Sequence, residues 1–131
     1  MEIRLTYRGI IYSKKNSKRI ITNRYTGKPM LISSHRALQN ERDMVEQFQM
    51  QLQQMHFKGI RTPVKLEVEI WAKDHRKRDL DNQLTTILDA LVLAGAIPDD
   101  SCEVIHKMSV EFCGVDQNNP RAEITILGGW S

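Results

Sequence analysis

The stretch VKLEVEIWAKDHRKRDLDNQLTTILDALVLAG, residues 64–95, decides the fold. Its first nine residues alternate. Val64, Leu66, Val68, Ile70 and Ala72 face one way, and Lys65, Glu67, Glu69 and Trp71 the other, which predicts a strand with one buried face. From residue 80 the period changes. Leu80, Leu84, Ile87, Leu88 and Leu91 recur at helical spacing, so a helix is expected over 80–94 with Gly95 as its stop. Between strand and helix lies KDHRKR, whose four fixed cations directly precede two aspartates, Asp79 and Asp81.

Working outward, residues 3–12 read as a short strand broken at Gly9. Residues 13–34 read as an irregular basic segment with a turn at Tyr25–Pro29. Ser34 is the expected N-cap of a helix over 35–57, with Leu38, Val45, Phe48, Leu52 and Met55 on its buried face and a Gln-rich, charged opposite side. Met44, Met50 and Met55 read as packing residues. Beyond Gly95, AIPDDS carries Asp99 and Asp100. Residues 103–113 alternate again, with Val104, Met108, Val110 and Phe112 on one face and His106 assigned to the core or an interface. The turn GVDQNNP precedes a last strand over 121–127 with Ala122, Ile124 and Ile126 inward. The last two strands are expected to form an antiparallel hairpin. The whole reads as one α/β (α+β) domain over 1–131, a small mixed or antiparallel sheet packed with two helices.

The 131 residues carry 40% hydrophobic and 27% charged residues, a globular balance. No apolar run approaches membrane-spanning length, and no export or lipidation signal is visible, so a cytoplasmic location is expected. Cys102 and Cys113 read as two reduced thiols, too few and too isolated for a zinc site, and the four histidines form no ligand pair.

The net charge is only +3, but it is segregated. From Arg4 to Arg36 the chain carries Lys14, Lys15, Lys18 and Arg19 among its cations and no acid, and Lys73, Arg76, Lys77 and Arg78 make a second basic run. Segregation of this kind points to a polyanion, most commonly nucleic acid, against the plain alternative of a solvated face.

Asp79 and Asp81 fall at the start of the second helix, where one aspartate needs no reason beyond capping. Two, with Asp99 and Asp100 beyond the same helix, make a carboxylate set without soft partners. Such a set suits Mg²⁺, with Mn²⁺ as the substitute, and these ions serve phosphodiester hydrolysis. The helix rises 1.5 Å per residue, so its ends lie some 20 Å apart. The two acidic pairs meet only if the loop folds back along the helix or if they meet between subunits.

At these residues the chain resembles a known family. R-D-L-D-N at 78–82, L-D-A-L at 88–91, A-G at 94–95 and D-D at 99–100 are similar to the core of the RusA-like Holliday junction resolvases, many of them encoded by phages or prophages. The likeness is strong over about 73–105. It implies a homodimeric, Mg²⁺-dependent endodeoxyribonuclease that binds four-way DNA junctions and resolves them by paired symmetric nicks in recombination and repair, with no small-molecule cofactor. By position it makes Asp79, Asp81 and Asp100 the metal-binding catalytic carboxylates, with Asp99 as a secondary ligand. Members of the family carry a lysine four residues after the second aspartate that assists catalysis. Thr85 stands there, so either Lys73, Lys77 or a cation of 13–28 substitutes, or the chain binds junctions with weak or lost nuclease activity.

Overall fold

The computed structural model describes residues 1–13, 18–33 and 35–129, and residues 18–20 and 31–33 through their backbone alone. Element order is β1 (Glu2–Arg8), β2 (Lys18–Thr22), β3 (Pro29–Ser33), α1 (His35–Gln54), β4 (Val64–Ala72), α2 (Leu80–Ala94), β5 (Ile105–Val115) and β6 (Arg121–Gly128). The main sheet runs β1-β6-β4-β5; β4 pairs antiparallel with β6 and parallel with β5. The α+β class is as expected: a mixed four-stranded sheet with two helices on one face.

The alternation over 64–72 translates directly into burial. Val64, Leu66, Val68, Ile70 and Ala72 are buried, and they meet Ala122, Ile124 and Ile126 of β6 and Ile3, Leu5 and Tyr7 of β1 under the helices. Full burial of such aliphatic side chains is worth roughly 1.5–3 kcal/mol each, which is what commits the strand to one register. In α2, Ile87, Leu88, Ala90 and Leu91 face this core, and Gly95 ends the helix at φ 85° with its N–H on the Val92 carbonyl.

Four expectations are corrected. First, β5 and β6 do not form a hairpin. β4 lies between them, so α2 is a crossover between parallel neighbours β4 and β5, as parallel pairing requires. Second, the basic segment is not irregular throughout, since β2 and β3 pair antiparallel around the expected turn. Asn23 shapes that turn by accepting the Tyr25 and Thr26 N–H groups on its side-chain oxygen. Ser34 lies outside the described residues. Third, α1 is rotated from its expected face. It buries Ala37, Asn40, Met44, Phe48 and Leu52, while Leu38, Met50 and Met55 are exposed. Fourth, β5 is an edge strand, so Met108 and Phe112 are each 50% exposed and His106 is exposed rather than in the core.

The rotation of α1 has a cause. Gln47 accepts the Arg8 N–H (2.8 Å) and donates to the Arg8 carbonyl (3.0 Å); Gln51 does the same for Thr6, at 2.8 and 2.7 Å. Two side-chain amides thus take the place of a neighbouring strand along the outer edge of β1. Asn40, also buried, donates to the Tyr7 hydroxyl and the Ile10 carbonyl and accepts the Tyr12 N–H. One sheet edge is closed by these glutamines. The other, β5, pairs only with β4 among the described residues.

Candidate metal centre and nucleic-acid interface

After Ala72 the chain leaves the sheet in the basic run, and Asp74 organises it. Its carboxylate accepts the Arg76 N–H at 3.1 Å and the Arg78 guanidinium at 2.6 Å, while Arg78 also donates to the carbonyls of Asp74 and Arg76. The Arg78 hydrogen bond, followed by that from Arg76, holds the Asp74 carboxyl below its ordinary range. Arg78 is therefore turned inward to staple the loop. Lys73, His75, Arg76 and Lys77 remain exposed along its outside. Of the other expected DNA contacts, Lys14 and Lys15 lie outside the described residues, and Lys18 and Arg19 stand in β2.

Asp79 occupies the N-cap of α2, with φ −88° and ψ 121°, and its carbonyl accepts the Gln83 N–H. Its side chain makes no capping hydrogen bond; instead the Asn82 amide donates to its Oδ2 at 3.2 Å. Capping therefore does not account for this carboxylate. Asp81 sits exposed in the first turn, where the helix N-terminus would favour both anions. The donor chemistry of the pair, two carboxylates beside an amide, fits a hard divalent cation. Thr85, where a lysine is expected, spends its hydroxyl on the Asp81 carbonyl at 2.9 Å.

Asp99 and Asp100 lie elsewhere. Ala96 and Ile97 are buried below the end of α2, and both aspartates are exposed beyond them. Asp99 accepts the Asp100 N–H at 2.8 Å, and that bond, with the Ser101 hydroxyl, keeps its carboxyl below the ordinary range. The Ser101 carbonyl then accepts the Val104 and Ile105 N–H groups, and the Val104 carbonyl accepts the Val64 N–H. This ties the loop to the start of β4 and β5, whereas Asp79 and Asp81 follow the end of β4. The loop does not fold back. The pairs stand at opposite ends of α2, whose fifteen residues span about 22 Å.

Among the described residues, the group whose ligand atoms all lie within 4.8 Å of one another is Glu69, Glu111 and Cys113, on the uncovered face of the sheet. The sequence reading missed it, because it depends on β4 and β5 being neighbours with Glu69 opposite Glu111. Partial burial, then the Glu111 and Glu69 carboxylates, push the Cys113 thiol up to about 11. Without a bound cation it is a protonated donor to Glu111 at 3.3 Å at neutral pH. On the same face Trp71 packs under the Arg121 guanidinium, 4.0 Å from its ring.

Two grooves flank the basic loop. One, of about 320 Å³, lies against Ala72, Leu80 and Phe112. The other, of about 370 Å³, runs between residues 10–13 and residues 76–79 and reaches Asp79. A cation-lined cleft that reaches a carboxylate at a helix N-terminus suits phosphodiester chemistry. The family comparison decides the matter: the model of endodeoxyribonuclease RusA matches residues 12–127. The chain belongs to the RusA endodeoxyribonuclease family. The match takes in every candidate carboxylate and both basic segments. RusA proteins are Holliday-junction endonucleases that bind branched DNA, and nucleases of this kind generally use a divalent metal. No curated protein matches the chain. No helix among the described residues is long and apolar enough to cross a membrane.

Proposed function

We propose that this RusA family member, one domain over 1–131, is a homodimeric, Mg²⁺-dependent resolvase that cuts four-way DNA junctions by paired symmetric nicks in recombination and repair. The observation that carries the reading is the Asp79 carboxylate, held beside Asp81 at the start of α2 and unused as a cap. Asp79 and Asp81 of one subunit and Asp100 of the partner subunit would hold the metal, with Asp99 behind Asp100. The ion would supply phosphate polarisation and a hydroxide nucleophile at neutral pH. Lys73, Arg76 and Lys77, with Lys14, Lys15, Lys18 and Arg19 of the early basic segment, would bring the phosphodiester backbone against these acids, and Arg78 would hold the loop in shape.

Two features support a composite site. The 22 Å length of α2 keeps Asp100 from its own Asp79 and Asp81. In addition, among the described residues β5 has an open edge, with Met108 and Phe112 equally exposed on either side of Val110. An exposed apolar edge strand is a template for pairing. Antiparallel pairing of β5 with its copy about a two-fold axis at Val110 sets Met108 opposite Phe112 of the partner subunit. The same axis carries the start of β5, with Asp100, to the end of the partner's β5, where the partner's Ala72 leads toward its own Asp79.

A second reading, junction binding with weak or lost cutting, is favoured by Thr85, whose hydroxyl is committed to the helix backbone. Asp81→Asn separates the two. On a labelled synthetic junction with Mg²⁺ the variant should bind at near wild-type affinity and fail to nick. Cutting by the variant at the wild-type rate rejects the site; binding without cutting by the wild type selects the second reading.

A further inference from the structure

Among the described residues, Gln83 is a polar side chain that packing alone does not explain. It lies on α2, one turn after Asp79, and is only 6% exposed. No hydrogen bond joins its side-chain amide to any other described residue, and the amide atoms keep access to the solvent of the grooves beside them. It lines both grooves beside the basic loop and a third, narrow cleft that Trp71 also lines. A second polar group faces the same space. Ser13 Oγ is buried without a partner, and Ser13 lines the groove that reaches Asp79. Tyr12 forms part of one wall, and Arg76, Lys77 and Arg78 the other.

The chemistry of these two groups selects their ligand. A phosphate oxygen only accepts, so it would leave the Gln83 carbonyl unpaired. The edge of a nucleobase both donates and accepts, and it satisfies an amide and a hydroxyl together. The cations of the rim suit the phosphates on either side of that base. Because Gln83 lies at the floor, the base that reaches it has left its stack, which a branch point allows at low cost. Resting on the nuclease reading above, we propose that the groove between residues 10–13 and 76–79 is a nucleobase-reading subsite, in which Gln83 and Ser13 hydrogen-bond the edge of an unstacked base beside the cleaved phosphodiester and so set the sequence preference of cutting.

The test uses a library of four-way junctions randomised around the crossover. It is cut in Mg²⁺ by wild type, Gln83→Leu and Ser13→Ala, and is separately partitioned by gel shift in EDTA. Leucine keeps the volume and suits the apolar surroundings of α2, and Ser13→Ala is the milder second variant. The wild type should prefer one base at one flanking position in both arms. Gln83→Leu should flatten that preference by about 5- to 150-fold, the range for one bidentate base contact, with a smaller effect from Ser13→Ala. Arg76→Gln should instead weaken binding to all sequences alike. Identical profiles for wild type and Gln83→Leu overturn the proposal, as does a uniform loss across all sequences, which would assign the groove to phosphate. A wild type that cuts nothing refutes the nuclease reading, while the EDTA arm still decides the subsite: base preference lost in Gln83→Leu sustains it, and no preference overturns it.

Discussion

Mixing two inactive variants should restore cutting. If Asp81 of one subunit and Asp100 of the other serve one metal, Asp81→Asn and Asp100→Asn each disable both sites of their own homodimer. In the mixed dimer both substitutions fall in the same site, and the second site is intact. A carboxylate ligates Mg²⁺ at about 2.1 Å, so pairs at opposite ends of a helix roughly 22 Å long cannot share an ion within one chain. Random exchange at equal concentrations makes about half the dimers mixed, each with one good site, so about a quarter of the wild-type sites return. The assay is nicking of a labelled junction after co-refolding, with mixed dimers counted by native mass spectrometry. The product should be nicked in one strand only. The converse mixture uses wild type and the Asp81→Asn, Asp100→Asn double variant. It should keep about a quarter of its sites, against half if each subunit were self-sufficient. Absence of recovery in verified mixed dimers would refute the composite site.

Phe112→Glu should convert the dimer to a monomer by sedimentation and abolish Mg²⁺-dependent cutting; a stable variant dimer would reject β5 as the interface. Gly9→Ala should destabilise the fold by about 1–3 kcal/mol in urea unfolding, because Gly9 has φ 143° and an added Cβ would stand 2.5 Å from the Tyr7 hydroxyl. An unchanged midpoint would contradict it. Burial, then the Asp43 charge, raise the Tyr7 phenol from 10.0 to about 12. A raised folded-state value means that the stabilisation is full below pH 10 and is lost as the pH rises toward 12. Wild type should therefore lose stability over that window and Tyr7→Phe should lose less; parallel curves would refute the linkage.

The elements that bury one face were legible in the sequence. Residues 64–72 and 80–94 have a single apolar stripe each, and the structure reproduces both within a residue. What failed was whatever depended on neighbours. Alternation in 103–113 and 121–127 identifies two strands but not that β4 separates them, and an edge strand carries the same pattern as a covered one. In α1, Leu38 and Met55 read as buried by hydrophobicity alone. The helix is instead turned so that Gln47 and Gln51 can bond the edge of β1, a use of glutamine that a periodicity count scores as solvent. The candidate site divides in the same way. DLDN and the basic run are contiguous, and their contact was readable. The position of Asp99 and Asp100 depended on whether a seven-residue connection folds back, and it does not. Gln83 and the Glu69, Glu111 and Cys113 cluster carried no sequence signal, because both are defined by what lies across from them.

The most direct measurement incubates the purified wild type with labelled four-way junction, flap and linear duplex, each with and without Mg²⁺. The account predicts paired, symmetric nicks in the four-way junction alone, and only with Mg²⁺. Tight junction binding with no nick in either Mg²⁺ or Mn²⁺, or equal cutting of linear duplex, would contradict it.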